Sequence, residues 1–221
     1  MSGRHPSPRR PRRSADSPRP EAAKRSAPDG PTARLFVAVV PPADALAELA
    51  AVADGLATYR AGARPTDRAR WHITVAFLGE VAEERIPDAT DALADAAARS
   101  TPVRLRIAGG GRFGRGRFAV LWAGVAGAAD SDLTSFAGLA RAVRRELRRA
   151  RLPYDDKPFR PHLTLARPGD RIGRDELSGD VDRLRAYAGT PFPVEEVWLY
   201  RSHLGPHPKH TPLAHWPLGP A

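Results

Sequence analysis

An α+β fold of two pseudo-symmetric lobes, each an antiparallel sheet with helices, with a cleft between them, is the architecture this chain predicts. Three observations carry that expectation. The pattern His, apolar, Thr, apolar occurs twice, as HITV at 72–75 and HLTL at 162–165. A helical stretch and then strand material follow each copy, and 31 positions separate His72 from Val103 just as they separate His162 from Pro193. VRLRIA, at 103–108, alternates apolar and polar residues with the period of a strand that buries one face. The same order in both halves is what an internal duplication leaves behind.

The elements follow in order. Residues 1–33 hold seven Pro, five Ser and eight Lys or Arg without an apolar period, so they form a disordered basic tail ahead of a single domain at 34–221. Order starts at Arg34, where LFVAVV is a β-branched run closed by Pro41 and Pro42. A helix is predicted over 43–56, with Leu46, Leu49, Ala50, Ala53 and Leu56 on one face. Strand WHITVAFL ends at Gly79, and a helical stretch covers 83–99. VRLRIA then pairs with FAVLWAGV across a loop rich in Gly and Arg. In the second half a helix over 131–151 buries Phe136, Leu139, Val143 and Leu147, and six Arg fill most of its other faces. Strand PHLTLA, a weaker helix over 174–187, and a strand pair at 194–200 and 213–217 complete the chain.

On a strand, residues two apart share a face. His72 and Thr74 therefore project together, with Ile73, Val75 and Phe77 into the core; His162 and Thr164 do the same, and Ala166 continues their face. Two lobes related by a pseudo-two-fold axis bring two His and two Thr to one cleft. Such a set suits hydrolysis or transesterification at phosphorus. Imidazole titrates near neutral pH and can act as acid or base, a contribution of roughly 10² to 10⁴ in rate. Hydroxyl donors fixed on strands can hold the non-bridging oxygens. A metal site is the rival use of two His, but neither strand offers a carboxylate, Cys or second His at ligand spacing.

Composition narrows the classes. The chain carries a net charge of +10 and has no Cys, which excludes disulfides, thiolate metal sites and a Cys nucleophile. Its longest uncharged apolar run, 119–129, has 11 residues, too few for a membrane span, and no signal peptide is evident near the N-terminus. A soluble, cytoplasmic protein with a polyanionic partner is the expectation.

RLFVAVVPP, WHITVAFLGE, VLWAGV, FRPHLTLARPGD and VEEVWLYRSHLGP with a following LAHWPL resemble the RNA 2',3'-cyclic phosphodiesterase family, also called the 2'-5' RNA ligase family, of the two-histidine phosphoesterase superfamily. The resemblance covers nearly all of the body. It implies hydrolysis of an RNA terminal 2',3'-cyclic phosphate to a 2'-phosphomonoester without metal or cofactor. His72 would be the proton donor and His162 the proton acceptor, with Thr74 and Thr164 on the phosphate, although a pseudo-symmetric pair can exchange duties. Val75 stands where the family usually has Leu, and Lys157 where Arg is common. Alternatives are a related phosphoesterase or ligase acting on small cyclic nucleotides or 2',5'-linked RNA, and an RNA-binding protein without activity. The partners expected are RNA ends or a cyclic nucleotide, with no membrane, and a monomer is favoured.

Outside the motifs, Arg160 and Lys157 are candidate phosphate-binding residues, weighed against ordinary surface roles. Phe113, in the loop GGGRFGRGRF, is a candidate for base stacking. His203, His207, His210 and His215 are interleaved with Pro and Gly and read as a solvent-facing turn.

Overall fold

The computed structural model describes residues 30–206 and 208–219. Most of the basic tail and His207 lie outside them. The chain runs through β1 (Thr32–Val39), α1 (Ala43–Asp54), α2 (Ala57–Arg60), β2 (Ile73–Ala82), α3 (Ile86–Ala98), β3 (Val103–Phe113), β4 (Val120–Gly127), α4 (Asp130–Arg149), β5 (His162–Ala166), α5 (Arg174–Ala186), β6 (Phe192–Val194), β7 (Glu196–His203) and β8 (Lys209–Pro217). Two four-stranded antiparallel sheets form, in the orders β2-β1-β7-β8 and β5-β4-β3-β6.

The two lobes are therefore not the two halves of the sequence. The β3–β4 hairpin follows the first motif but joins the second motif's sheet, and the C-terminal β7–β8 hairpin returns to the first. Hydrophobic periodicity reports which face a strand buries and not which sheet it joins, so this exchange was invisible in the sequence. Helices α3 and α4 pack together against the first sheet, α4 reaching the second as well, while α5 covers β3 and pairs with α2.

Each element has a local cause. Strand β1 begins at Thr32, two residues before the expected start, because Thr32 and Ala33 pair with Ala82 and Val81. Pro42 caps α1, and Pro87 occupies the first turn of α3, where a missing N–H costs nothing. Helix α4 buries Phe136, Leu139, Val143 and Leu147, side chains worth roughly 2 kcal/mol each when taken from water. It also buries Glu146, whose carboxylate accepts from the guanidinium groups of Arg99, Arg145 and Arg149 at 2.8 to 3.1 Å. Part of the Arg-rich face is thus structural. Asp180 of α5 is buried and accepts from the backbone N–H groups of Ala57 and Thr58 and the Thr58 hydroxyl at 2.5 to 2.8 Å, tying α5 to α2.

The first half of the glycine-rich segment, through Phe113, is strand, and residues 114–119 are the connection to β4. Gly109 to Gly111 lie within β3, because a Cβ on Gly110 would stand 2.6 Å from the Leu184 Cβ, and one on Gly111 would stand 2.7 Å from the Trp122 ring. Absent side chains let α5 and Trp122 approach the sheet. Composition alone reads such a stretch as flexible, and only the packing partners reveal the reason for it. Among the described residues no helix is long and apolar enough to cross a membrane.

Candidate active site

The two motifs sit on β2 and β5, the edge strands of their sheets, which pack against each other. Each motif strand is steadied by the loop that precedes the other motif. Thr66 N–H donates to the Leu165 carbonyl at 2.7 Å and Arg167 N–H to the Arg64 carbonyl at 3.1 Å, while Asp155 N–H donates to the Phe77 carbonyl at 2.8 Å. The repeat extends beyond the tetrapeptide: RWHITVAFLGE at 70–80 and RPHLTLARPGD at 160–170 share Arg, His, Thr, Ala and Gly at matching places, and an acid at the end. Gly79 and Gly169 both take a left-handed backbone, with φ of +76° and +61°.

Both copies also carry a β-bulge at the same place. In β2, Thr74 is opposite Ala38 and Ala76 opposite Val37, leaving Val75 as the extra residue. In β5, Thr164 is opposite Trp122 and Ala166 opposite Leu121, leaving Leu165. A bulge shifts the alternation by one. Two expectations are corrected as a result. Phe77 does not enter the core but is 47% exposed on the cleft, and Ala166 is fully buried while Arg167 takes its place at the cleft wall.

His72, Thr74, His162 and Thr164 together line a pocket of about 210 Å³. The His72 Nδ1–H donates to the Arg70 carbonyl and the His162 Nδ1–H to the Arg160 carbonyl, both at 2.7 Å. Since a carbonyl only accepts, the proton of each neutral ring is on Nδ1, and Nε2 carries the free lone pair. Aromatic rings hold both imidazoles: Phe36, stacked on Tyr200, is 4.8 Å from His72, and Phe113, stacked on Trp122, meets His162 edge-on at 5.0 Å. Phe113 is the last residue of β3 and stands beside the second imidazole.

Burial pushes His72 down from near 6.5 to about 4, opposed by its bond to Arg70 and helped by the positive character of His210, His162 and Arg70. His162 is also lowered, again mainly by burial. Burial therefore leaves both rings neutral at pH 7. Charge on His162 opposes charge on His72, so the doubly protonated pair is disfavoured.

The pocket wall also holds Arg34, Arg70 and Arg167, and none of the described residues lining it is Asp or Glu. Arg167 was missed in the sequence because the bulge hides its face; its counterpart position, Phe77, is the signal that aligning the two copies would have provided. Arg160 and Lys157 line an adjoining chamber of about 550 Å³ that shares Thr74, Phe77, His162 and Arg167 with this pocket, and Lys157 is paired with Asp155 at 3.0 Å. Strand β5 begins at His162, after Pro161, so strand alternation does not extend back to Arg160.

The described C-terminal His residues, His203, His210 and His215, are on strands and not on a turn, and His207 lies outside the described residues. His203 lies on β7 and His210 and His215 on β8, which pair antiparallel with a register shift between Leu199 and Tyr200. Residues 203–217 contain enough Pro and Gly to resemble a loop, but β8 is an outer strand, where Pro212 is tolerated. His210 reaches the pocket.

Two imidazoles, two hydroxyls and a rim of guanidinium groups, one motif on an edge strand of each lobe, define the two-histidine phosphoesterase class. The model of the 2'-5' RNA ligase superfamily matches residues 35–206, and the chain belongs to that superfamily. A Thermus thermophilus protein named RNA 2',3'-cyclic phosphodiesterase is 34% identical over 84% of this chain and 90% of its own length. A Geobacillus stearothermophilus protein of the same name is also 34% identical, over 67% of this chain but only 45% of its own length. Among solved structures, a Thermus thermophilus protein superposes with a TM-score of 0.66 at 32% identity, covering 85% of this chain and 98% of that one. Escherichia coli LigT complexed with 3'-AMP gives 0.64 at 25% identity, covering 86% and 99%.

Proposed function

We propose that this protein opens the terminal 2',3'-cyclic phosphate of RNA to a 2'-phosphomonoester. The observation that carries the reading is the matched pair of imidazoles, each with Nδ1 engaged by a backbone carbonyl and Nε2 free, over two hydroxyls in one pocket. The names of the relatives support the same substrate.

In this mechanism His162 Nε2 takes a proton from water as the water oxygen attacks phosphorus, and the bond from phosphorus to the 3'-oxygen breaks. His72, as imidazolium, gives its Nε2 proton to that leaving oxygen. The Thr74 and Thr164 hydroxyls donate to the non-bridging oxygens, where charge accumulates, and Arg167 offsets that charge from the wall. Burial leaves His72 uncharged at neutral pH; a bound phosphodiester anion restores its proton, so the acid is loaded by its own substrate. Phe77 and Phe113 offer faces on which the terminal base stacks, and Lys157 and Arg160 meet the next phosphate along the chain. Every catalytic step is assigned to side chains.

Incubation of the protein with an RNA bearing a 2',3'-cyclic end, with EDTA present, tests the reading. The expected product is the 2'-phosphate. A 3'-phosphate product, or activity abolished by EDTA and restored by a metal, would overturn it.

A further inference from the structure

Among the described residues of the C-terminal hairpin, His210 is the imidazole that lines the pocket, and the mechanism leaves it idle. It sits on β8 opposite Ser202 of β7, and both residues line the pocket that holds the two motifs. Its ring meets Phe36 edge-on at 4.7 Å and His72 edge-on at 5.1 Å. Its two neighbours on the hairpin are engaged within the protein: His203 Nε2 with the Thr211 hydroxyl at 3.1 Å, and His215 Nδ1 with the Glu196 carboxylate at 2.9 Å. Neither ring nitrogen of His210 has a hydrogen-bond partner among the described residues. A half-buried imidazole without a partner, on the wall of a pocket, is placed for a ligand.

The charges around it specify the ligand. Arg70 faces it from the loop before β2, His72 from the start of β2, and His203 from β7, and Arg34 of β1 shares the pocket wall. Tyr200 of β7 packs at 6.5 Å, Lys209 precedes it on its own strand, and Glu80, the acid nearest Arg34, pairs with that Arg at 3.8 Å without lining the pocket. Burial, Arg70 and His203 oppose a proton on His210. An anion among Arg34, Arg70 and Arg167 reverses the sign.

We infer that His210 is a third imidazole of the reaction site, which contacts the phosphate held in the cleft and takes up a proton as that anion binds. The inference rests on the reading of the cleft as a phosphate site. It assigns His210 a substrate contact that tightens as the anion gains charge, so a phosphomonoester product is held more firmly than the diester and its release depends on pH.

Inorganic sulfate, a dianion throughout the range, is the probe, because it binds without exchanging protons of its own. Calorimetric titration in buffers of different ionisation enthalpy gives both affinity and proton uptake. His210→Phe keeps the edge contacts with Phe36 and His72 but cannot be protonated. It should weaken sulfate binding about tenfold near pH 6 and less than about twofold near pH 8, and should lower proton uptake near pH 6. His210→Gln, which retains a hydrogen-bond donor, should show a smaller pH dependence than wild type, the remainder belonging to His72 and His162, while keeping part of the affinity. Wild-type affinity and uptake in His210→Phe at both pH values would overturn the inference, as would absence of sulfate binding by the wild type. The readout does not depend on which bond the enzyme cleaves. A negative result with cyclic-phosphate RNA alongside pH-linked sulfate binding would therefore remove the proposed reaction and leave the role of His210 standing.

Discussion

His72 and His162 occupy the same position in two copies of one motif, and each gives its Nδ1 proton to the carbonyl oxygen two residues earlier at the same distance, 2.7 Å. The bond fixes tautomer and ring orientation by backbone alone, without a partner carboxylate. A backbone carbonyl cannot be lost by substitution of the residue that bears it, so the Arg70 and Arg160 side chains are free to serve other ends.

Replacement of His72 or His162 by Ala should lower turnover of a cyclic-ended RNA by about 10² to 10⁴ while circular dichroism stays unchanged. Because the two act as a unit, the double variant should be little worse than the worse single one. Rates within about threefold of wild type in either single variant would reject the acid-base pair.

The pH dependence follows from burial. With His72 near 4 and His162 also below its ordinary value, kcat/KM should peak on the acid side of pH 6.5. The bound anion raises both groups, so kcat should peak at higher pH than kcat/KM. A kcat/KM maximum above pH 7 would contradict the burial argument. Stability has a matching signature. The unfolded chain binds more protons at His72 between about pH 4 and 6.5, so folded stability is complete above that window and falls as pH drops through it. His72→Gln should remove up to about 3 kcal/mol of that acid loss in denaturant titrations.

Thr74→Val and Thr164→Val keep shape and remove one donor each. Steady-state kinetics should show kcat reduced by about 10² to 10³ for each, with KM changed far less. A loss confined to KM would mean that the hydroxyls bind the ground state only.

Phe77 offers a test of the bulge. Since it is 47% exposed at the cleft, Phe77→Ala should change stability by less than about 1 kcal/mol yet raise KM for RNA several-fold. Destabilisation by about 3 kcal/mol or more would return Phe77 to the core.

Truncation separates the tail from the domain. Removal of residues 1–29 should leave kcat/KM on a short substrate within about twofold. Removal through Ala33 deletes the pairing of Thr32 and Ala33 with β2 and the bond from Glu83 N–H to the Pro31 carbonyl, and its thermal midpoint should fall. Equal stability of the two truncations would place the domain boundary after Ala33.

Much of the site was legible because its chemistry is local. His72 and Thr74 are two apart on a strand, and a second copy at His162 and Thr164 made a shared cleft the economical explanation. The residues that were not legible depend on contacts distant in sequence or on a break in a period. Phe77 and Arg167 follow a bulge, which no alternation count can foresee. Gly110 and Gly111 are explained by Leu184 and Trp122, and His210 reaches His72 from 138 positions away through a hairpin whose sheet the pattern does not name.

The exchange of hairpins between lobes has a consequence for how the protein is made. The sheet that carries His72 joins strands from residues 32–82 to strands from 196–217, so β1 and β2 await partners that leave the ribosome long after them. The first lobe cannot close until then, and the second closes around a hairpin supplied by the first half. Neither half of the sequence supplies all the strands of either sheet, so the cleft is not complete before β7 and β8 pair with β1.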